Sequence, residues 1–182
     1  MSAMQLEFDA PRWRRGSGVP SITVRDMPLT ACEWNMMRAF LRRVHRDDLR
    51  RRFGHPFDID DENTARRFFD VKAGSGEISW VLDTSGVIAG VAHRVMVSSA
   101  EAEIAVLVRS DCQRRGIGAF LVGAMLGRAA RQGLKTLSAV MQRDNRAVLQ
   151  LAAKFAYQYR SQTALTIELI LDVARIMAVH VG

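Results

Sequence analysis

With 182 residues, 48% of them hydrophobic, the chain is long enough to bury one sizeable core. Its net charge of +7 comes from 26 basic residues, of which only Lys72, Lys135 and Lys154 are lysines, and it favours anionic partners in general. The arginines are spread along the chain rather than gathered with aromatic residues, which argues against nucleic acid; no apolar stretch approaches a membrane span and no signal-peptide pattern opens the sequence, so a cytoplasmic protein without a membrane partner is expected.

Residues 1–20 carry no periodic apolar pattern and are expected to form a flexible N-terminal segment ahead of a single domain over 21–182. Ile22 and Val24 alternate with polar residues over 21–25 as in a short strand. Thr30 then suits the cap of a helix running to about Val44 through Trp34, Met37, Phe40 and Leu41. Over 46–71 the pattern is helical but broken at Gly54-His55-Pro56, because proline cannot continue a helix, so two short helices are expected. Arg38, Arg42, Arg43, Arg46, Arg50, Arg51 and Arg52, relieved only by Asp47 and Asp48, read as a solvated helix face or as a surface for an anionic partner.

Strand-like alternation follows over 78–82, 87–97 and 104–108, separated by short turns as in an antiparallel meander. Residues 118–132 are apolar on most sides, as suits a helix covering a sheet, and Gly133 ends them. A strand over 136–141 precedes a helix over 145–155, where Val148, Leu151, Ala152 and Phe155 form one stripe. Residues 157–160 and 164–173 are two further strand candidates. Cys32 and Cys112 lie far apart and away from histidines at ligand spacing, so neither a disulfide nor a metal site is expected.

The order strand, glycine-rich loop, helix over 104–132 is how a backbone anion site is built. The loop and first helical turn leave amide N–H groups unpaired, and the helix dipole is positive there. In Gln113-Arg114-Arg115-Gly116-Ile117-Gly118-Ala119 the two glycines remove Cβ atoms that would hold phosphate oxygens off, and the two arginines add charge. Walker A and the Rossmann fingerprint are both excluded by spacing; the plainer alternative is a helix start that happens to carry glycines.

Over residues 21–173 the sequence resembles the GNAT superfamily of N-acyltransferases. Val106-Leu107-Val108 followed by Gln113-Arg114-Arg115-Gly116-Ile117-Gly118 is similar to that family's motif A, Q/R-x-x-G-x-G/A after the fourth strand. Asp144-Asn145-Arg146-Ala147-Val148-Leu149-Gln150-Leu151-Ala152-Ala153-Lys154-Phe155-Ala156-Tyr157 is similar to motif B, commonly N-x-x-A-x-x-L-Y-x-K-x-G-F. Within the family the chain is most similar to the GNAT domain of bacterial protein lysine acetyltransferases of the Pat type, on Asp48-Leu49-Arg50-Arg51-Arg52-Phe53, on Glu101-Ala102-Glu103-Ile104-Ala105-Val106, and on Asn145-Arg146 with Leu151-Ala152.

This resemblance implies a mixed α/β fold: a mostly antiparallel sheet of six or seven strands, splayed between the fourth and fifth, with helices on both faces. It implies acetyl-CoA as acyl donor, bound along Val106, Leu107 and Val108 with its pyrophosphate on Gln113 to Ala119. Asn145 then either contacts the pantetheine arm or simply caps its helix. The implied acceptor is an amine, a protein lysine ahead of a small molecule; a module that binds acyl-CoA without turnover is the alternative from another class. A homodimer is compatible with the fold. A lysine-like amine with pKa about 10.4 costs about 4 to 5 kcal/mol to hold neutral at pH 7, so a base is useful, and Glu103 resembles the Pat-type catalytic glutamate. Two departures stand out: Ala152 replaces the family's usual tyrosine acid, and Ala156-Tyr157 replaces Gly-Phe. Tyr157 or Cys112 could serve as the acid only if the fold brings one near the thiolate, and the scattered His45, His55, His93 and His180 leave a histidine base possible but unmotivated.

Overall fold

A computed structural model describes residues 22–26, 29–54, 58–59, 61 and 76–181. The segment over 1–20 and the helix expected beyond Pro56 lie outside the described residues. Strand β1 (Ile22–Asp26) leads to helix α1 (Ala31–Leu41), capped as its sequence suggests. The Thr30 hydroxyl accepts the Glu33 N–H while the Glu33 carboxylate accepts the Thr30 N–H at 2.9 Å, which satisfies two otherwise orphaned donors. Helix α2 (Arg46–Phe53) starts on His45, whose ring accepts the Asp47 N–H, and stops where Gly54 takes φ 77°.

Strands β2 (Gly76–Leu82), β3 (Ile88–Met96) and β4 (Glu101–Val108) form the expected antiparallel meander. Then come helix α3 (Ile117–Arg131), β5 (Thr136–Gln142), α4 (Arg146–Ala152) with a 3-10 turn (Ala153–Phe155), β6 (Gln158–Gln162), β7 (Thr166–Asp172) and α5 (Val173–Val181). Where one strand was expected over 164–173, the chain changes to helix at Val173, and the Asp172 carboxylate accepts the Arg175 N–H at 2.9 Å at that switch. The apolar run passes through the boundary without a break in hydrophobicity, so periodicity did not mark it.

The sheet has seven strands in the order β1-β2-β3-β4-β5-β7-β6, and only β4 and β5 are parallel neighbours. One core lies between the sheet and α3 and α5, around Leu121, Met125, Leu126, Leu137 and Ile176. A second lies on the opposite face under α1 and α2, around Met37, Phe40, Leu49, Ile78 and Leu107. Among the described residues no helix is long and apolar enough to cross a membrane.

The sheet opens at its centre. β4 and β5 pair only at Glu101↔Thr136, Ala102↔Leu137 and Glu103↔Ser138. Beyond that, β4 stays with β3 as far as Val108 and β5 stays with β7 as far as Gln142. The resulting opening runs along residues 104–108, roughly 17 Å of strand at 3.3 Å per residue.

Candidate functional site

The β4 wall of the opening follows from strand parity. Arg109 donates its N–H to Ala89 of β3 at 2.9 Å, and the regular β3–β4 register repeats that direction at every second residue. Val106 and Val108 therefore turn their amides away from β3 and into the opening. Leu107 does not line it: its amide faces β3 and its side chain, 7% exposed, belongs to the core under α1 and α2. Of the three residues that the motif A resemblance assigns to this wall, two face the opening and one braces it.

At the open end of β4 stands the start of α3. Gly116 is its cap residue at φ 89° and offers no side-chain hydrogen bond. Arg114 is also left-handed, at φ 57°, a conformation that costs a non-glycine residue about 1 kcal/mol or more. Among the described residues the backbone amides of Arg114, Arg115, Gly116, Ile117, Gly118 and Ala119 donate to no protein acceptor, and both arginines are exposed. Gln113 departs from the expected role. Its amide donates to the Ser110 carbonyl at 3.4 Å and its side chain donates to Asp48 and to the Val108 carbonyl, so the free amides begin at Arg114.

Two glycines set the geometry of this cradle. A Cβ on Gly90 of β3 would lie 2.7 Å from Ile117 Cγ2, so its absence lets the first turn of α3 seat on the sheet. A Cβ on Gly118 would meet Leu151 Cδ2 of α4 at 3.2 Å and Val108 Cγ2 at 3.8 Å. Gly118 thus has a packing role as well as the openness that a phosphate would need, and Leu151 of the α4 stripe is its neighbour.

The cradle is also tied to α1 and α2. Arg109, 3% exposed, donates to Asp83 at 2.8 Å, to Asp111 at 2.6 Å and to the Ile88 carbonyl at 3.2 Å. Burial alone would raise the Asp83 pKa, but hydrogen bonds from Ser85 and Arg109 outweigh it and hold the carboxyl far below the usual range. Arg43 reaches Asp111 at 3.1 Å, the Ser110 hydroxyl accepts the His45 N–H at 2.8 Å, and Gln113 reaches Asp48. Nothing in the spacing marks this hub, because its members come from three separate segments, 43–48, 83–88 and 109–113.

Glu103 stands at the vertex of the opening, at the last position where β4 still pairs with β5. Cross-strand partners share a face, so Glu103 and Ala105 look to the α1–α2 side together with Val95 and His93 of β3. Glu103 is exposed and, among the described residues, its carboxylate accepts no hydrogen bond. Glu101, two residues earlier on the same face, is held by Arg160 of β6, which donates at 2.9 Å and also reaches Glu168. Hydrogen bonds from Arg160 keep the Glu101 carboxyl below its usual range, with Ser138 adding to the effect. Of the two carboxylates at the vertex, Glu103 is the one left available.

His93, 7% exposed and unmotivated as a base by its place in the sequence, is put on this face by the fold. Burial, assisted by the charge of Arg52, lowers its pKa from 6.5 to about 4, so it is neutral and weakly basic at pH 7. The unfolded chain takes up a proton near pH 6.5 that the folded chain refuses until about pH 4, so acidification through this window favours unfolding. Between pH 7 and 4.5 the folded state should lose roughly 2 to 3 kcal/mol from this group. Urea midpoints measured across that range should show the loss in wild type and not in His93→Gln; an unchanged slope in the variant would contradict the assignment.

Motif B supplies less chemistry than its sequence promises. Asn145 caps α4, its Oδ1 accepting the Val148 N–H at 3.2 Å; among the described residues its Nδ2 donates to none. Ala152 ends α4 with no hydroxyl to offer. Ala156 takes φ 50°, left-handed, at the position where the family motif has glycine. The Tyr157 hydroxyl is hydrogen-bonded to that of Tyr159 at 3.1 Å, which raises its pKa, and Tyr159 lies on β6, the outermost strand, separated from β5 by β7. Cys112 sits beyond the far end of β4 from Glu103, its thiol pushed up by burial. Cys112 is therefore not placed to act at the vertex, and the Tyr157 hydroxyl is engaged by Tyr159. Phenylalanine at both 157 and 159 should therefore lower any turnover by less than about tenfold, a loss too small for a positioned acid; a larger loss in a folded variant, read from initial rates, would restore one of them to that role.

The Acetyltransferase (GNAT) family profile matches residues 38–157. No curated protein matches the chain in sequence. Among solved structures it is similar to the GNAT domain of S. lividans PAT, with TM-score 0.70 and 19% identity over 82% of this chain and 89% of that one. It is also similar to spermidine N-acetyltransferase from Vibrio cholerae in complex with CoA and spermine, with TM-score 0.69 and 11% identity over 86% and 98%. A phosphinothricin acetyltransferase from Sinorhizobium meliloti in complex with AcCoA gives TM-score 0.63 and 15% identity over 83% and 88%. At such identities these likenesses speak for the fold, with its parallel β4–β5 pair opening at the centre of the sheet; together with the profile match over most of the chain, they establish that it belongs to the GNAT family of acetyltransferases.

Proposed function

We propose that this chain transfers an acetyl group from acetyl-CoA to an amine by direct attack of the amine on the thioester, with Glu103 as general base. One observation carries the reading: an opening lined by the unpaired amides of Val106 and Val108 leads from a cradle of free amides at α3 to an unpartnered carboxylate at its vertex.

When bound, acetyl-CoA supplies an activated acyl carbon that a neutral amine can attack. The amides of Arg114 to Ala119 and the side chains of Arg114 and Arg115 hold its phosphates. Val106 and Val108 border the extended arm, the Val106 N–H polarising the thioester carbonyl. Asn145 offers its free Nδ2 from the other side of the opening while its Oδ1 caps α4. Gln113 and Leu107 act indirectly, one fixing the loop to α2 and the other fixing β4 against the core. Glu103 takes the amine's proton, directly or through a water.

A protein lysine is the acceptor favoured by the Pat-type resemblance. A small amine is the second choice, and the Vibrio cholerae neighbour is an enzyme of that kind. The non-catalytic reading rests on Ala152, which leaves α4 without the family's usual acid. Acetyl-CoA titration by calorimetry followed by thiol release with protein and small-amine acceptors separates these readings. Binding with amine-dependent release supports the transferase; binding without release from any acceptor supports the sensor.

A further inference from the structure

We propose that Arg160 is a positioning residue for the acceptor amine: by occupying Glu101 and Glu168, it leaves Glu103 as the carboxylate at the vertex where an ammonium can seat. The assignment rests on the reading of Glu103 as the base and adds the group that selects it. Cross-strand partners share a face, and the ladder sets out three neighbouring rows on the face that carries Glu103. Glu101 stands in the row of Thr136 and Asp172, Glu103 in the row of Ser138 and Ile170, and Glu168 in the row of Val140. Glu101 and Glu168 thus flank the row of the vertex on either side, each about 7 Å along the strand direction from it. The guanidinium of Arg160, which comes from β6, joins the two across that row.

Every oxygen of the two flanking carboxylates is taken. Arg160 grips Glu101 with both prongs of its fork, Nη1 donating to Oε1 and Nη2 to Oε2 at 2.9 Å, and the same Nη1 reaches Glu168 Oε1 at 3.1 Å. The Ser161 hydroxyl donates to the remaining Glu168 oxygen at 2.9 Å. The Glu103 carboxylate, between them, accepts no hydrogen bond from any described residue. An amine of pKa about 10.4 arrives at pH 7 as an ammonium and needs an anionic seat before it can lose its proton. Without Arg160, Glu101 and Glu168 would offer it a paired seat where the guanidinium now lies. An ammonium held there is bound but is not presented to Glu103. The same contact also ties β4 to β6 over a short β4–β5 ladder, so its loss should lower stability as well.

Initial rates should be measured with whichever amine wild type turns over fastest among spermidine, free amino acids and a lysine peptide. In Arg160→Gln the misplaced ammonium is unproductive, so kcat and KM should fall together by about tenfold, the effect of one extra charge-assisted hydrogen bond at the false seat. kcat/KM should then change little, and acetyl-CoA affinity by calorimetry should stay near wild type. Adding Glu101→Gln to Arg160→Gln removes part of the false seat and should restore most of kcat, although the clasp is then broken from both sides. Arg160→Lys, which keeps the charge without the fork, should hold most of the wild-type kcat and guards against a folding artefact. A clasp that is only structural gives a different pattern: kcat/KM falls in Arg160→Gln, and the double variant is no better. That pattern overturns the assignment, as do wild-type kcat and KM in Arg160→Gln. Full activity in Glu103→Gln would remove the base reading independently of these variants, and a wild type that acetylates none of these amines would remove the transferase reading; either takes this assignment with it.

Discussion

Glu103→Gln should lower kcat at least about a hundredfold at pH 7 while acetyl-CoA affinity stays near wild type, because a positioned base contributes about 10² to 10⁴ in rate and this one lies outside the phosphate cradle. The expected loss reflects the cost of presenting a neutral amine, about 1.36 kcal/mol for each unit between the amine's pKa and the working pH. Raising the pH lowers that cost without the base, so the variant should recover part of its rate as pH rises, and wild type should gain less. Glu101→Gln is the informative control. Its carboxylate is taken by Arg160, so its removal should loosen the contact between β4 and β6 and lower stability without the same pH-dependent rate defect. Full activity in Glu103→Gln, or the same defect in Glu101→Gln alone, would mean that another group takes the proton.

Gly118→Asp should weaken acetyl-CoA binding by about a hundredfold or more, since like charges brought together in a binding site cost several kcal/mol. The geometry requires a matched background, because any side chain at 118 also meets Leu151 Cδ2 at 3.2 Å. Leu151→Ala removes that contact, so the comparison is Leu151→Ala with and without Gly118→Asp. An aspartate in the first turn of α3 favours the helix dipole, so the apo protein should not be destabilised through the helix. Lost affinity would then be assigned to the ligand's own charge rather than to misfolding. Unchanged affinity in the paired variants would show that the phosphates lie elsewhere.

Much of the fold was legible because it follows from local pattern. The meander, the α3 helix and the caps at Thr30 and Asn145 all rest on residues close in sequence whose spacing suffices. The glycine-bearing start of α3 was legible for the same reason: Gly116 caps the helix and Gly118 lies in its first turn. The acceptor side was not. His93 comes onto the face of Glu103 only through the β3–β4 register, which no local spacing encodes. Leu107 and Gln113 matched a motif, yet Leu107 packs into the core and Gln113 holds Asp48 of α2, because a motif records which residues recur and not which way each one faces. The helix after Asp172 was missed because its apolar residues continue those of the strand before it.

Acetyl-CoA held in the β4–β5 opening should give up its acyl group to an amine. The direct measurement is mass spectrometry of acceptor amines after incubation with acetyl-CoA and the whole chain, run beside thiol release. The predicted result is one acetyl group gained by the acceptor for each CoA thiol released, with wild type and not with Glu103→Gln. Tight acetyl-CoA binding with no acetylated product from any amine, protein or small molecule, would contradict it.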